Sequence, residues 1–316
     1  DNILYVNLLN QSIHKSNNDY FKSKLIQTIN FINSEFKSKD NFLGSAYDAD
    51  SEGIEGKYYV WKFEELKNIL NNDLELFEKK YLINQNGNFE GSNILIQKLN
   101  IDLSLDENIK IQKLENKLLI ERKKRIKPFF DDKIQTDLNC YWLYSTLFSS
   151  IILNDEKLFE TTNKKIDLIK EKLKSKIYHC YDKNGEEIDV FLEDYVYYCL
   201  LLITNYEINN NKNSLEICTS LMDEAWDVFY NNENNLLQKN KVKSNDLFVN
   251  PIDISDNNIP NGNSIYLLIC NKLYNISEDN NWLEKKDILS KSFHALINSN
   301  FFQMFSYLKI LDVCEE

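Results

Sequence analysis

Helix breakers are scarce in this chain, with 7 glycines and 3 prolines among 316 residues. Few positions can therefore stop a helix or take a left-handed turn without cost, and long helices joined by asparagine-rich turns are expected. Histidine is as scarce as proline: His14, His179 and His294 are the whole complement. The six cysteines, Cys140, Cys180, Cys199, Cys218, Cys270 and Cys314, form no C-x-x-C pair and no metal-ligand spacing, which argues against a zinc site and for reduced core thiols in a reducing compartment. No run approaches the roughly 20 apolar residues of a membrane span, and Asp1-Asn2-Ile3-Leu4 lacks the basic start of a signal peptide, so a cytoplasmic protein is expected. Positive charge is also short. With 37 Lys and Arg against 49 Asp and Glu, the net charge is -12, and a general nucleic-acid or anionic-membrane surface is disfavoured by repulsion unless a strong local basic patch exists. The one basic cluster, Arg122-Lys123-Lys124-Arg125, falls late in a helical segment, where cations complement the helix dipole.

What is present is a 43% hydrophobic chain, enough to bury a substantial core, with apolar residues at helical spacing almost throughout. The pattern predicts helices over 2–13 and 21–36, 63–70 and 74–81, 103–126, 136–153 and 158–173, 193–208 and 215–230, 264–274 and 282–297, and 301–313. The long segment 103–126 turns Leu114, Leu118 and Leu119 inward and ends before Pro128, which disfavours helix in the residue ahead of it. Short strands are expected at 42–47 and 58–61, and around a turn at Asp182-Lys183-Asn184-Gly185. First helices begin near residues 1, 63, 132, 194 and 263, an architectural repeat of roughly 60 to 70 residues in which each unit is a helical hairpin plus a loop. Stacked hairpins close as a solenoid or as a ring. The polar clusters Asp131-Asp132-Lys133, Glu193-Asp194-Tyr195 and Pro260–Ser264 all fall at first-helix starts, which in a ring share one rim.

The least scaffold-like stretch runs from Asp48 through Asp50, Glu52 and Glu55 to Trp61. Four carboxylates that close repel one another, so some must be solvated, paired, metal-bound or shifted in pKa. Asp48, Asp50 and Glu52 could hold an oxygen-ligated calcium ion, but the segment lacks the full spacing of an EF-hand loop; no metal and no cofactor are expected.

Asp48–Trp61, Gly87-Asn88-Phe89-Glu90-Gly91 with Asn93, Arg125 with Pro128 and Asp131-Asp132-Lys133, Phe191-Leu192-Glu193-Asp194-Tyr195, and Pro260 with Gly262-Asn263-Ser264 resemble, in order and spacing, the spermatogenesis-associated protein 20 family of thioredoxin-domain-containing proteins. The resemblance covers essentially the whole chain. It implies an all-α, (α/α)6 toroid of helical hairpins similar to six-hairpin glycosidases, incomplete at its ends, with short β-hairpins in the loops. It implies one toroid domain over residues 1–316, with the thioredoxin-like N-terminal domain of the family absent from this chain. The sequence departs from the family at Leu138, where tryptophan is usual, at Asn261 in place of serine, and at Ile3 in place of a small residue.

On that fold, Asp50, Asp132 and Asp194 are candidate catalytic carboxylates, since glycoside hydrolysis needs one protonated and one ionised carboxyl flanking the scissile bond. The competing reading makes such acids first-turn or capping groups, most strongly for Asp131 and Glu193. Asp48, Glu52, Trp61, Lys133, Asn139, Tyr195 and Asn263 are candidate ligand-binding residues: amides for hydroxyls, an indole face for a sugar ring, and a cation for a ligand oxygen or a salt bridge. A two-histidine epimerase is disfavoured, because no histidine falls in a rim motif. Two functions follow as expectations. One is an acidic rim pocket that binds a carbohydrate-like ligand and hydrolyses or isomerises it. The other is a non-catalytic module docking a thioredoxin-like domain or partner chain, which would also cover apolar surface left by the incomplete ring.

Overall fold

The computed structural model describes residues 1–181, 185, 187–241 and 251–315. The helices are α1 (Asn2–Ser16), α2 (Asp19–Glu35), α3 (Phe63–Leu70), α4 (Leu74–Lys80), α5 (Leu105–Arg122), α6 (Thr136–Ile152), α7 (Glu156–Lys172), α8 (Leu192–Asn209), α9 (Lys212–Phe229), α10 (Gly262–Ser277), α11 (Asn280–Asn300) and α12 (Phe305–Glu315). Strands are two residues long and pair antiparallel: β1 (Ala46–Tyr47) with β6 (Phe130–Asp131), β2 (Asp50–Ser51) with β3 (Ile54–Glu55), β4 (Tyr81–Leu82) with β5 (Ile96–Gln97), β7 (Cys180–Tyr181) with β8 (Glu187–Ile188), and β9 (Tyr230–Asn231) with β10 (Leu236–Leu237). The turn expected at Asp182-Lys183-Asn184 lies outside the described residues. No helix among them is long and apolar enough to cross a membrane.

Asparagine takes over the work that glycine does elsewhere. Asn17 and Asn210, with φ of 50° and 53°, close α1 and α8 in the left-handed region, which asparagine tolerates better than other side chains with a Cβ. The next residue along then caps the following helix: Asn18 accepts from Tyr20 N and Asn211 from Ser214 N. Stop and start signals thus sit side by side, and the connection needs only two residues. Connections this short make consecutive helices antiparallel neighbours.

The chain divides into two compact units, one of Asp1–Ser45 with Asp132–Glu316 and one of Ala46–Asp131. In the first, α8 packs between α6 and α10, α1 lies against α6, and α2, α7, α9 and α11 each back the helix that precedes them. The two layers differ as their sequences do. Every residue of α8 from Leu192 to Asn205 is buried, as expected of a helix apolar on all sides. By contrast α9 buries one stripe, Ser214, Cys218, Met222, Ala225 and Phe229, at helical spacing. Cys140, Cys180, Cys199, Cys218 and Cys270 are all buried, core residues as expected. The second unit gathers α3, α4 and α5 around Trp61, Leu66, Phe77, Ile111 and Leu118.

One local expectation changes. The segments 42–47 and 58–61 do not flank the acidic stretch as a pair of strands. Tyr47 instead pairs with Phe130, their rings stacked at 4.7 Å, and the acidic stretch is itself the hairpin β2–β3. Its turn has Glu52 and Gly53 both at positive φ, 55° and 72°, the geometry that matches strand twist in a two-residue hairpin. Tyr58–Val60 is held as a turn because Arg125 Nη1 donates to the carbonyls of Tyr58 and Val60 at 2.9 and 2.7 Å.

Three asparagines clamp loops to the scaffold. Asn139 Oδ1 accepts from Leu43 N at 2.8 Å while its Nδ2 donates to Leu43 O and Gln135 O. Asn263 does the same with Leu237 N and O, both at 2.8 Å, and adds Asp253 O; Asn93 clamps Asn84. Each side chain imitates a strand neighbour for one backbone residue. Asn263→Ala leaves Leu237 N and O unsatisfied in the core and is expected to lose about 2–4 kcal/mol, read by urea denaturation, with an unchanged midpoint counting against the clamp.

Candidate active site at the starts of the buried helices

Within the first unit, the starts of α6, α8 and α10 and the loop 251–261 enclose a pocket of about 400 Å³. Asp137, His179, Phe191, Glu193, Lys239 and Asp253 line it. Its walls are assembled by backbone bonds between distant segments. Thr136 N donates to His179 O at 2.8 Å and Thr136 Oγ1 to Tyr178 O at 2.7 Å, joining the start of α6 to the strand pair ahead of α8. Leu192 N donates to Lys239 O, tying α8 to the next loop. Asn261 caps Ser264 N and, through Nδ2, donates to Ile254 O and Asp256 Oδ1, which pins the third wall to α10.

Asp194 is fully buried and has three hydrogen-bonded neighbours. Its Oδ2 accepts from Phe191 N at 2.9 Å, closing the N-terminus of α8, and its Oδ1 accepts from Asp137 N at 3.2 Å. His179 Nδ1 lies 3.0 and 3.2 Å from the two carboxylate oxygens, and Phe191 packs edge-on against the imidazole. Burial pushes the Asp194 carboxyl up, against the pull of His179 and the two backbone donors. For His179, burial alone would lower the pKa, but the bond to Asp194 and its charge outweigh it, so the imidazole titrates above its ordinary value. Asp137, beside this pair, is pushed up to about 6 by burial and by the Asp194 charge, with His179 opposing.

Glu193 is the neighbouring residue with the opposite fate. Immediately before Asp194 in the chain, it projects into the pocket wall, 9% exposed, and its Oε2 has no hydrogen-bond partner. Burial raises it to about 7, while Lys239 opposes and Asp253 and Asp137 add to the rise. Lys239 itself stands 3.6 Å from Asp253. Gly262 leaves room for this arrangement: a Cβ there would come within 2.9 Å of Leu192 and 3.2 Å of Glu193 Oε1. The pocket therefore holds two carboxyls that change charge near neutrality and an imidazole oriented by a buried carboxylate, the ingredients of acid–base chemistry. Asp137, His179 and Asp194 also offer ligand atoms within 4.8 Å of one another, a set able to chelate a metal ion. Hydrogen bonds alone already account for both oxygens of Asp194 and for the Nδ1 of His179.

Of the residues the sequence singles out, Asp194 belongs to this cluster. Asp132 and Lys133 are exposed just before α6, and the Asp132 carbonyl accepts from Ser38 Oγ. Asn139 and Asn263 are buried with both amide hydrogens engaged by backbone carbonyls. Tyr195 is buried and donates its hydroxyl to Glu224 on α9 at 2.6 Å. Asp48, Asp50, Glu52 and Trp61 belong to the second unit. There Asp48 and Asp50 are exposed, Glu52 pairs with Lys57 at 2.8 Å, and Trp61 is buried under the Arg125 guanidinium at 4.0 Å. Glu52 also lines a pocket of about 580 Å³ in that unit, together with Glu55, Glu65, Lys57 and Arg125, where Glu65 and Arg125 pair at 2.7 Å. Asp137 carries no motif in the sequence, His179 falls outside the rim motifs there, and Glu193 reads as a first-turn or capping acid.

No family model matches the chain, and no curated protein does. Solved structures of similar fold include a D-mannose isomerase at 12% identity, covering 92% of this chain and 73% of that one with a TM-score of 0.44. The GH76A α-1,6-mannanase of Salegentibacter sp. HEL1_6 is similar at 13% identity, 92% and 70% coverage and a TM-score of 0.41. A glycoside hydrolase from family 105 of C. acetobutylicum ATCC 824 is similar at 15% identity, 94% and 76% coverage and a TM-score of 0.43. At these values the likeness concerns the fold and no more. The class expected from the sequence, all-α and built of paired helices with short strand pairs in the loops, is the class found.

Proposed function

We propose that the pocket at the starts of α6, α8 and α10 binds a polyhydroxylated, sugar-like ligand and acts on it by proton transfer, as a glycoside hydrolase or an isomerase. The observation that carries this reading is Glu193, a buried carboxyl with an unpartnered oxygen in the pocket wall and a pKa of about 7. Such a group is a neutral acid at slightly acidic pH and can hand its proton to a ligand oxygen. Asp137 would serve as the complementary base. His179, with Nδ1 engaged by Asp194, keeps its other ring nitrogen for the ligand. Gln135, Asn257 and Asn258 add polar groups for hydroxyls, and Phe191 a flat apolar face. These residues carry the proposal; the distant fold likeness adds no activity to it.

The test is a panel of neutral sugars, uronates and small oligosaccharides, screened by saturation-transfer NMR and thermal shift on the wild type, Glu193→Gln and Asp137→Asn. Binding that survives in the variants while turnover is lost is the expected pattern. A protein that binds nothing in the panel, or binds equally in all three forms with unaltered turnover, would sink the reading.

A second reading is favoured by the clamps. Asn93 and Asn263 fall in the motifs that resemble the spermatogenesis-associated protein 20 family, and each holds a loop. The motifs would then preserve a docking surface for a thioredoxin-like domain. Co-elution with such a domain in size-exclusion chromatography, unaffected by Glu193→Gln, would support it.

A further inference from the structure

A second pocket of the first unit, about 350 Å³, is lined by α7, α6 and the end of α2 with the loop that follows it. Its charged lining residues are Lys37, Lys164 and Lys165, with no aspartate or glutamate among the lining residues. That is unusual for a chain of net charge -12. The other two pockets described mix both signs. Elsewhere lysines find carboxylates: Lys57, Lys80, Lys124, Lys176 and Lys285 each lie 2.8 Å or closer to one. Lys37, Lys164 and Lys165 form no ion pair among the described residues. Asn33 and Asn41 add amides to the same lining, and Leu43, Trp142 and Leu158 supply an apolar floor.

We propose that Lys37, Lys164 and Lys165 form a site for a phosphate group, either free phosphate or the phosphate of a small organic ester whose body rests on the Leu43–Trp142–Leu158 floor. Like charges gathered with no carboxylate among the described lining residues are unfavourable, most of all where one is partly removed from water. Lys165 is in that position: burial lowers its pKa and the Lys37 charge lowers it further. A dianion relieves both costs at once and accepts several charge-assisted hydrogen bonds. A single carboxylate would neutralise less of the site, so a tetrahedral dianion suits it better. The site does not depend on the acid–base pocket.

The experiment titrates wild type, Lys165→Gln and Lys37→Gln/Lys165→Gln with inorganic phosphate, phenyl phosphate and glucose 6-phosphate by calorimetry at fixed ionic strength, with chloride as the control. Saturable phosphate binding in the wild type, weakened about ten-fold by the single and further by the double variant, is expected. Tighter binding of either ester than of inorganic phosphate assigns the floor to an organic body, and equal binding assigns the site to the free ion. Without phosphate, Lys165→Gln should melt no lower than wild type, because it removes a poorly solvated charge. No saturable binding of any of the three, or binding unchanged in the double variant, overturns the proposal.

Discussion

Glu193→Gln should make the protein more stable at mildly alkaline pH while silencing the proposed proton transfer. In the folded chain burial lifts the Glu193 carboxyl from 4.5 to about 7. As pH rises through that interval, the unfolded chain releases the proton and the folded chain keeps it. Stability therefore falls across the interval and the penalty is fully in force above about 7. At about 1.4 kcal/mol per pH unit, the penalty is on the order of 3 kcal/mol. Glutamine fills the same space without a charge and does not titrate. The difference between variant and wild type, measured by urea denaturation at several pH values, should be small near pH 4.5 and grow toward pH 8. Turnover of any substrate found should drop by about 10²–10⁴-fold, the range for loss of a general acid. Parallel stability curves would mean that Glu193 is solvated in the folded protein, and would remove it from the proposed mechanism.

That prediction rests on a distinction the sequence could not make. Glu193 and Asp194 are adjacent acids at the start of one helix, and both qualify as first-turn groups. The helix turns about 100° between them, so only one can reach back to the Phe191 N–H; Asp194 takes that bond and Glu193 faces the pocket. The choice depends on where the loop before α8 runs, which is tertiary information. His179 was invisible for a similar reason. It falls outside every motif, and it meets Asp194 because Thr136 draws residues 178 and 179 to the start of α6. No spacing rule connects residues 137, 179 and 194.

The helices were far more legible. Periodicity placed α1 to α4 and α6 to α11 within a few residues, because an apolar stripe and its asparagine caps are local signals. The expected helix 103–126 stops at Arg122, since Arg125 turns its guanidinium to the Tyr58 and Val60 carbonyls, a contact written nowhere in its own segment. Asparagine misled in the same way. An amide that could hold a sugar hydroxyl and one that clamps Leu43 or Leu237 are the same residue in sequence, and burial decides between them.

Asp194→Ala should be the most damaging single change in the first unit. It strands the Phe191 and Asp137 N–H groups and leaves His179 without its carboxylate, in a site with no water access at Asp194. Removing one member of a buried pair costs about 3–5 kcal/mol, enough to threaten folding of a protein of ordinary stability. Asp194→Asn separates the two parts of the loss, because one amide oxygen can still cap α8 while the charge is gone. Its His179 should titrate below the wild-type value, since the bond and charge that raise it are weakened. The sign of the linkage is definite. A raised imidazole contributes stability below its unfolded pKa of about 6.5, for as long as Asp194 stays ionised, and that contribution is lost as pH rises through the folded value. With three histidines in the chain, their ring resonances can be followed one by one in an NMR titration. A His179 that titrates identically in wild type and Asp194→Asn would show that the carboxylate does not hold it, and the oriented imidazole would have to leave the proposed mechanism.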